Sequence, residues 1–368
     1  MLEDKIFSSI FELCFLYRDA GLESCKKIAE AIERKTAYWT MDVEAVTKVA
    51  KALSQEEVLE TLKKYQGLEG WEEIAEAIAR TAYETKDAEA VARAARALSL
   101  DIVRKTLEKY QGLEGCVKIA EAIGWTACGT RSDEAVAKVA KALSQEEVLE
   151  TLKKYQGLEG CEKIAEAIGW TAWGTRSDEA VAKVAKALSQ EEVLETLKKY
   201  QGLKGCVKIA WAIRWTAYRT MDAEAVTKVA KALSQEEVLK TLKKYQGLEG
   251  WEEIAEAIAR TAYKTKDAEA VARAARALNQ DIVRKTLEKY QGLEGCVKIA
   301  EAIAETACWT WSDEAVARAA ETLGLYAGLE GCVEIAEAIA ATAKKRRSSY
   351  AVIELCEKYR EKLNKRKR

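Results

Sequence analysis

Trp125, Trp170 and Trp215 stand 45 residues apart, each directly before a Thr-Ala pair. Trp173, Trp211, Tyr83, Tyr218 and Tyr263 fall in neighbouring registers. So do five arginines: Arg80 and Arg260 share the Trp125 register, Arg131 and Arg176 follow Trp125 and Trp170 by six positions, and Arg219 follows Trp215 by four. Rings and guanidinium groups in this pattern do recognition chemistry. They offer large rigid area, a ring face for a cation or a base, and a forked donor for carboxylate or phosphate.

Groups that would make or break bonds lack support. The 368 residues include no His, which removes imidazole acid–base catalysis and the commonest metal-binding side chain. Glu72, Glu73 and Glu76, opening a helix, suit its positive end, and no accompanying pattern marks them as an acid–base pair. The recurring Gly-Leu-Glu-Gly puts a carboxylate where a phosphate would approach, so it is not a phosphate loop. Cys25, Cys116, Cys161, Cys206, Cys296 and Cys332 share one register, with Trp71 and Trp251 taking that place in two units. Such residues in adjacent repeats would lie about 10 Å apart, beyond disulfide reach or a shared metal. They read as reduced core thiols, which implies an intracellular, cytoplasmic protein. No catalytic residue, metal or cofactor is expected.

These residues need a repeating frame. The Val of Glu-Ala-Val recurs as Val46, Val91, Val136, Val181, Val226, Val271 and Val316, always 45 residues apart, then as Val352 after 36. In one copy, Val181, Val184, Ala185 and Leu188 line a first helix, and Ser189 with Glu192 reads as a capping box starting a second. That second helix stripes Val193, Leu194, Leu197 and Tyr200 and stops at Gly202. A third helix runs from about Lys204 to Thr220. Its register elsewhere puts Cys161, Ile164, Ala165, Ile168, Thr171, Ala172 and Thr175 on the core face, small Ala167 and Gly169 on the flanks, and Glu166, Trp170, Trp173 and Gly174 opposite. The 36-residue spacing means that the seventh unit has lost its middle helix.

Three helices per 45 residues resembles the broad armadillo and HEAT class of α-solenoids, and the resemblance covers essentially the whole chain. It is architectural alone: the chain has no Pro, so no binding residue of those families transfers. It implies an all-α solenoid, a superhelix of tandem three-helix repeats with capping helices at both ends, forming a single domain over 1–368. Residues 1–40 would hold the N-terminal cap and a first third-helix, 41–310 six repeats, 311–346 the truncated repeat and 347–368 a C-terminal capping helix with a basic tail. No stretch reaches the roughly 20 apolar residues of a membrane span, and the net charge of −1 gives no general attraction to polyanions.

Residues 41–123 and 221–303 differ at five positions only: Val43/Ala223, Glu60/Lys240, Glu84/Lys264, Ser99/Asn279 and Leu100/Gln280. Duplication with point drift explains this, and an engineered repeat with no natural ligand is the competing origin. The outer face of the third helix varies most between copies. Stacked, it would form an aromatic and cationic strip for a protein or peptide partner. Drift at an unconstrained solvent face, or packing between repeats, would yield the same alphabet. The alternative ligand is single-stranded nucleic acid, with bases on the rings and Lys86, Arg131, Arg176 and Lys266 on phosphates. Distinct ends imply a monomer or small oligomer. From Lys344 onward eleven basic and three acidic residues read chiefly as a solubilising end cap.

Overall fold

The structure is a computed structural model that describes residues 2–19, 21, 43–203 and 205–366. Among these there is no strand, and the chain is an all-α solenoid of tandem three-helix repeats. Two compact units divide it: Met1–Gly157 with Ile164–Lys186, and Leu158–Lys163 with Ala187–Arg368.

In the first unit, Ala88–Leu98, Asp101–Lys109 and Cys116–Thr130 make one complete repeat. The third helices Trp71–Thr85 and Cys116–Thr130 pack together, and the first helices Val43–Leu53, Ala88–Leu98 and Asp133–Leu143 pack in a row. The second unit repeats the plan, with third helices Cys206–Thr220, Trp251–Thr265, Cys296–Thr310 and Cys332–Arg346 in succession. Every landmark valine, Val352 included, is fully buried. Each such burial contributes roughly 1.5–3 kcal/mol.

Alanine lets the first helices approach, and hydroxyls close the gap that a helix end leaves. The last carbonyls of a helix have no intrahelical donor. Within each unit the Tyr hydroxyl ending a second helix donates to one of them in the next repeat: Tyr65 to Leu98 and Tyr110 to Leu143 in the first, Tyr200 to Leu233, Tyr245 to Leu278 and Tyr290 to Leu323 in the second. A Thr one turn earlier also donates across repeats, Thr106 to the carbonyl of Ala140 at 3.1 Å and Thr241 to that of Ala275 at 3.0 Å, each a second bond beside the one from Ser144 or Asn279 N–H. One buried face thus joins neighbouring repeats both by packing and by satisfying polar backbone.

The truncated unit is as the spacing implies. A single helix, Asp313–Leu325, leads by a turn to Cys332–Arg346. Tyr326 stands in for the missing helix's tyrosine and donates to the carbonyl of Tyr359 at 2.7 Å. Its acceptor lies in the capping helix Ser349–Arg366. At the other end Leu2–Asp19 packs on Val43–Leu53, and Tyr17 donates to the Leu53 carbonyl at 2.9 Å. The expected first third-helix, with Cys25, Lys35, Tyr38, Trp39 and Met41, lies outside the described residues, as do Lys204, Lys367 and Arg368. No described helix is long and apolar enough to cross a membrane.

Three expectations need correction. Ser189 starts no capping box: Gln190 is the N-cap of Glu191–Tyr200, in extended conformation and without a side-chain cap. In the same register Ser99 and Ser144 turn back and donate to the carbonyls of Arg96 and Lys141, finishing the preceding helix. Thr175 is exposed, because it sits in the last turn, beyond the reach of the neighbouring helix. Trp71, Trp251 and Cys332 are half-buried where Cys116, Cys161, Cys206 and Cys296 of that register are buried, since the first residue of the helix has too little cover for an indole and the last repeat has less covering it.

Candidate functional site

The third helix carries the variable face, and its geometry follows from what its inner face requires. Cys161, Ile164, Ala165, Ile168, Thr171 and Ala172 are at most 2% exposed. On the flank, a Cβ at Gly169 would stand 3.1 Å from the Lys118 carbonyl oxygen and 3.2 Å from the Ala122 Cβ. Gly124 meets Ala77 and Glu73 equally closely. Small flanks therefore bring third helices together and force their outer side chains into contact across repeats.

In the first unit this gathers three indoles. The Trp125 ring lies 6.5 Å from that of Trp170 and 5.9 Å, edge to face, from that of Trp173. Trp125 and Trp170 are half-buried, and Trp173 is 39% exposed. Tyr83 is half-buried one repeat earlier, and Arg80 is exposed, its Nε donating to Glu84 at 2.7 Å. Paired with carboxylate, the Arg80 guanidinium holds its proton more firmly than usual.

The second unit gathers a different set. Trp211 meets Trp215 at 6.1 Å and Tyr263 at 6.4 Å, and Trp215 meets Tyr218 at 5.6 Å. Two of its own cations lie over Trp215: Arg219 at 5.1 Å and Arg214 at 5.3 Å from the ring centre. Arg260 points to carboxylates, donating to Glu256 and, in the next repeat, to Glu305. Glu305 also accepts from the Trp309 indole, and Trp309 lies under Lys264, 3.4 Å away, and Arg347, 4.7 Å away. Lys208 reaches Glu256 at 3.1 Å from the repeat before. Four successive repeats are thus tied through one ionic and aromatic chain. Glu253, Glu256, Arg260, Glu301 and Glu305 line a cleft of about 230 Å³ within it.

No family model matches the chain, and no curated protein matches it.

Arg131 and Arg176 turn out to share a backbone role. With Lys86, Met221, Lys266, Trp311 and Arg347 they close the described third helices in left-handed conformation, with φ between 50° and 54°. This conformation ordinarily selects Gly. Five of these seven residues are cations, which suits the negative end of a helix. The basic column thus has a local purpose, independent of any ligand.

The cysteine register is chemically quiet. Cys116 and Cys206 donate to the carbonyls of Glu69 and Glu159 in the preceding repeat. Burial pushes both thiols up to about 12. A thiol held protonated is a poor nucleophile and metal ligand.

Trp309, Lys264 and Arg347 went unselected in the sequence, though each stands in a variable register. The signal was there: Trp309 follows Glu305 by four residues, the spacing at which helical side chains meet.

Proposed function

We propose that this chain is a non-enzymatic scaffold that binds a protein or peptide segment along the outer face of its third helices. A stack of helical repeats fits a binding or scaffold protein, since repetition builds long surfaces of adjustable side chains. The observation that carries the reading is the Trp125, Trp170 and Trp173 cluster, packed ring on ring with Trp173 still 39% exposed. Aromatic area held rigidly at a surface is what binding hot spots are made of. On the second unit Trp211, Trp215, Tyr218, Tyr263 and Arg219 form the corresponding face.

A nucleic-acid strand would need free cations beside the rings. Those in the best register, Lys86, Arg131, Arg176 and Lys266, stand at the far ends of their helices, while the residues one turn before Trp125 and Trp170 on the same face are the carboxylates Glu121 and Glu166. This favours the peptide reading.

The test is selection of a displayed random-peptide library on the full chain, with random-sequence single-stranded RNA titrated in parallel at low salt. Peptides should be enriched whose binding survives moderate salt and falls about tenfold or more in Trp173→Ala, a variant that keeps its helicity. Salt-sensitive RNA binding lost in that variant, with no peptide enriched, would overturn the reading. So would selected peptides indifferent to Trp173→Ala.

A further inference from the structure

In three repeats the outer-face residue of a third helix finds a partner one turn later in its own chain. Arg80 is bonded by Glu84, Trp215 is covered by Arg219, and Glu305 accepts from Trp309. Trp125 has Gly129 at that place, and Trp170 has Gly174. The second cation over Trp215 comes from Arg214, directly before it, and there Trp125 and Trp170 have Gly124 and Gly169. Both positions that cover Trp215 are thus glycines around Trp125. Gly124 and Gly169 are explained by the close approach of helices. Gly129 is not, because a Cβ there would have no atom within 4 Å. Among the described residues no cation lies over Trp125 or Trp173.

We propose that Trp125 and Trp173, with Trp170 packed alongside, take an arginine side chain of a bound peptide, filling the place that Arg219 fills over Trp215. The proposal rests on the peptide-binding reading and names the chemistry of the partner. The choice of arginine follows from the molecule itself: Arg214 and Arg219 lie over Trp215, and Arg347 lies with Lys264 over Trp309. A guanidinium is planar, weakly hydrated and stacks on a ring face, which an ammonium does less well. Charge also favours a cation. Glu121 and Glu166 lie one turn before Trp125 and Trp170 on the same face, both half-buried, with Glu121 steadied by Lys118 at 2.9 Å. Arg131 and Arg176 sit at the far helix ends in their left-handed caps.

The experiment compares random-peptide selection on the wild type and on Gly129→Arg, which supplies the missing side chain from within. Gly129 has open space around it, and arginine suits a helix better than glycine, so the variant should fold. Arginine should be enriched among wild-type binders. Changing that arginine to citrulline, flat but uncharged, should weaken binding about tenfold, and so should Gly129→Arg. Binders without arginine, equal affinity for the citrulline peptide, or unchanged binding to Gly129→Arg would each overturn this proposal, while sensitivity to Trp173→Ala would leave peptide recognition standing. A library that yields no binder would overturn both.

Discussion

Segments 41–123 and 221–303 are near copies in different units, and one of their five differences, Glu84 against Lys264, lies on the variable face. Glu84 turns back to bond Arg80 within its own helix. Lys264 cannot, and lies over Trp309 of the next repeat, while Arg260 goes to Glu256 and Glu305. The inner faces are alike throughout: Tyr65 and Tyr245 donate to Leu98 and Leu278, and Thr61 and Thr241 to Ala95 and Ala275. This charge reversal, together with Glu305 and Trp309 standing where the first unit has Trp125 and Gly129, redirects contacts on one face and leaves the other untouched. The scaffold is common to both units, and the outer face is where they differ.

The largest expected effect tests the common scaffold. Burial raises Cys116 and Cys206 to about 12 and Cys296 to about 11, from an ordinary value of 9.0. The buried tyrosines Tyr65, Tyr110, Tyr200, Tyr245 and Tyr290 are raised as well. The native state favours the neutral, protonated forms, so this stability is complete below about pH 9 and is lost as pH climbs toward 12. Circular dichroism against pH should show both units failing in that window. One unit alone surviving to pH 12 would contradict a shared core.

Glu305→Ala should cost about 2 kcal/mol in urea unfolding, because it removes the acceptor of both Arg260 and Trp309 and leaves a half-buried guanidinium less well paired. Glu121→Ala in the first unit breaks a local pair with Lys118 and should cost about 0.5 kcal/mol. Equal costs would remove the contrast between the units. Tyr110→Phe and Tyr245→Phe should each cost about 1–2 kcal/mol by orphaning a buried carbonyl. Their agreement is the point, and a gap much over 1 kcal/mol would mean that the inner joints are unlike. The smallest effect is at the caps: Lys86→Gly and Lys266→Gly should raise stability by about 0.5 kcal/mol, as relief of left-handed strain exceeds the lost charge–dipole attraction.

The repeat, its three helices and the truncated unit were legible because each rests on apolar spacing, and Val46 through Val352 kept it without exception. The core side of the third helix was legible for the same reason, save at Thr175 in the final turn and at Trp71, Trp251 and Cys332 in the first. The left-handed caps were not. Pattern reading looks for Gly there, and this chain uses Lys, Arg, Met and Trp, their strain borne by a helix end held through Ala82, Ala127, Ala217, Ala262 and their like. Ser189 misled because a Ser between two helices can serve either, and the extended backbone at Gln190 assigns it to the first. In the candidate site, Trp125, Trp170 and Trp173 were recognised as one outer face. That Arg219 and Arg214 share one ring, or that Trp309 sits under Lys264 and Arg347, depends on distances between repeats that no linear pattern holds.

The measurement that bears most directly on the open and self-covered faces is fluorine NMR of the protein labelled with 5-fluorotryptophan at its ten tryptophans, titrated with an arginine-bearing peptide from the selection. Trp125 and Trp173 should shift, while Trp215 and Trp309, already covered by the chain's own cations, stay in place. Shifts at Trp215 or Trp309 with Trp125 and Trp173 unmoved would contradict the account.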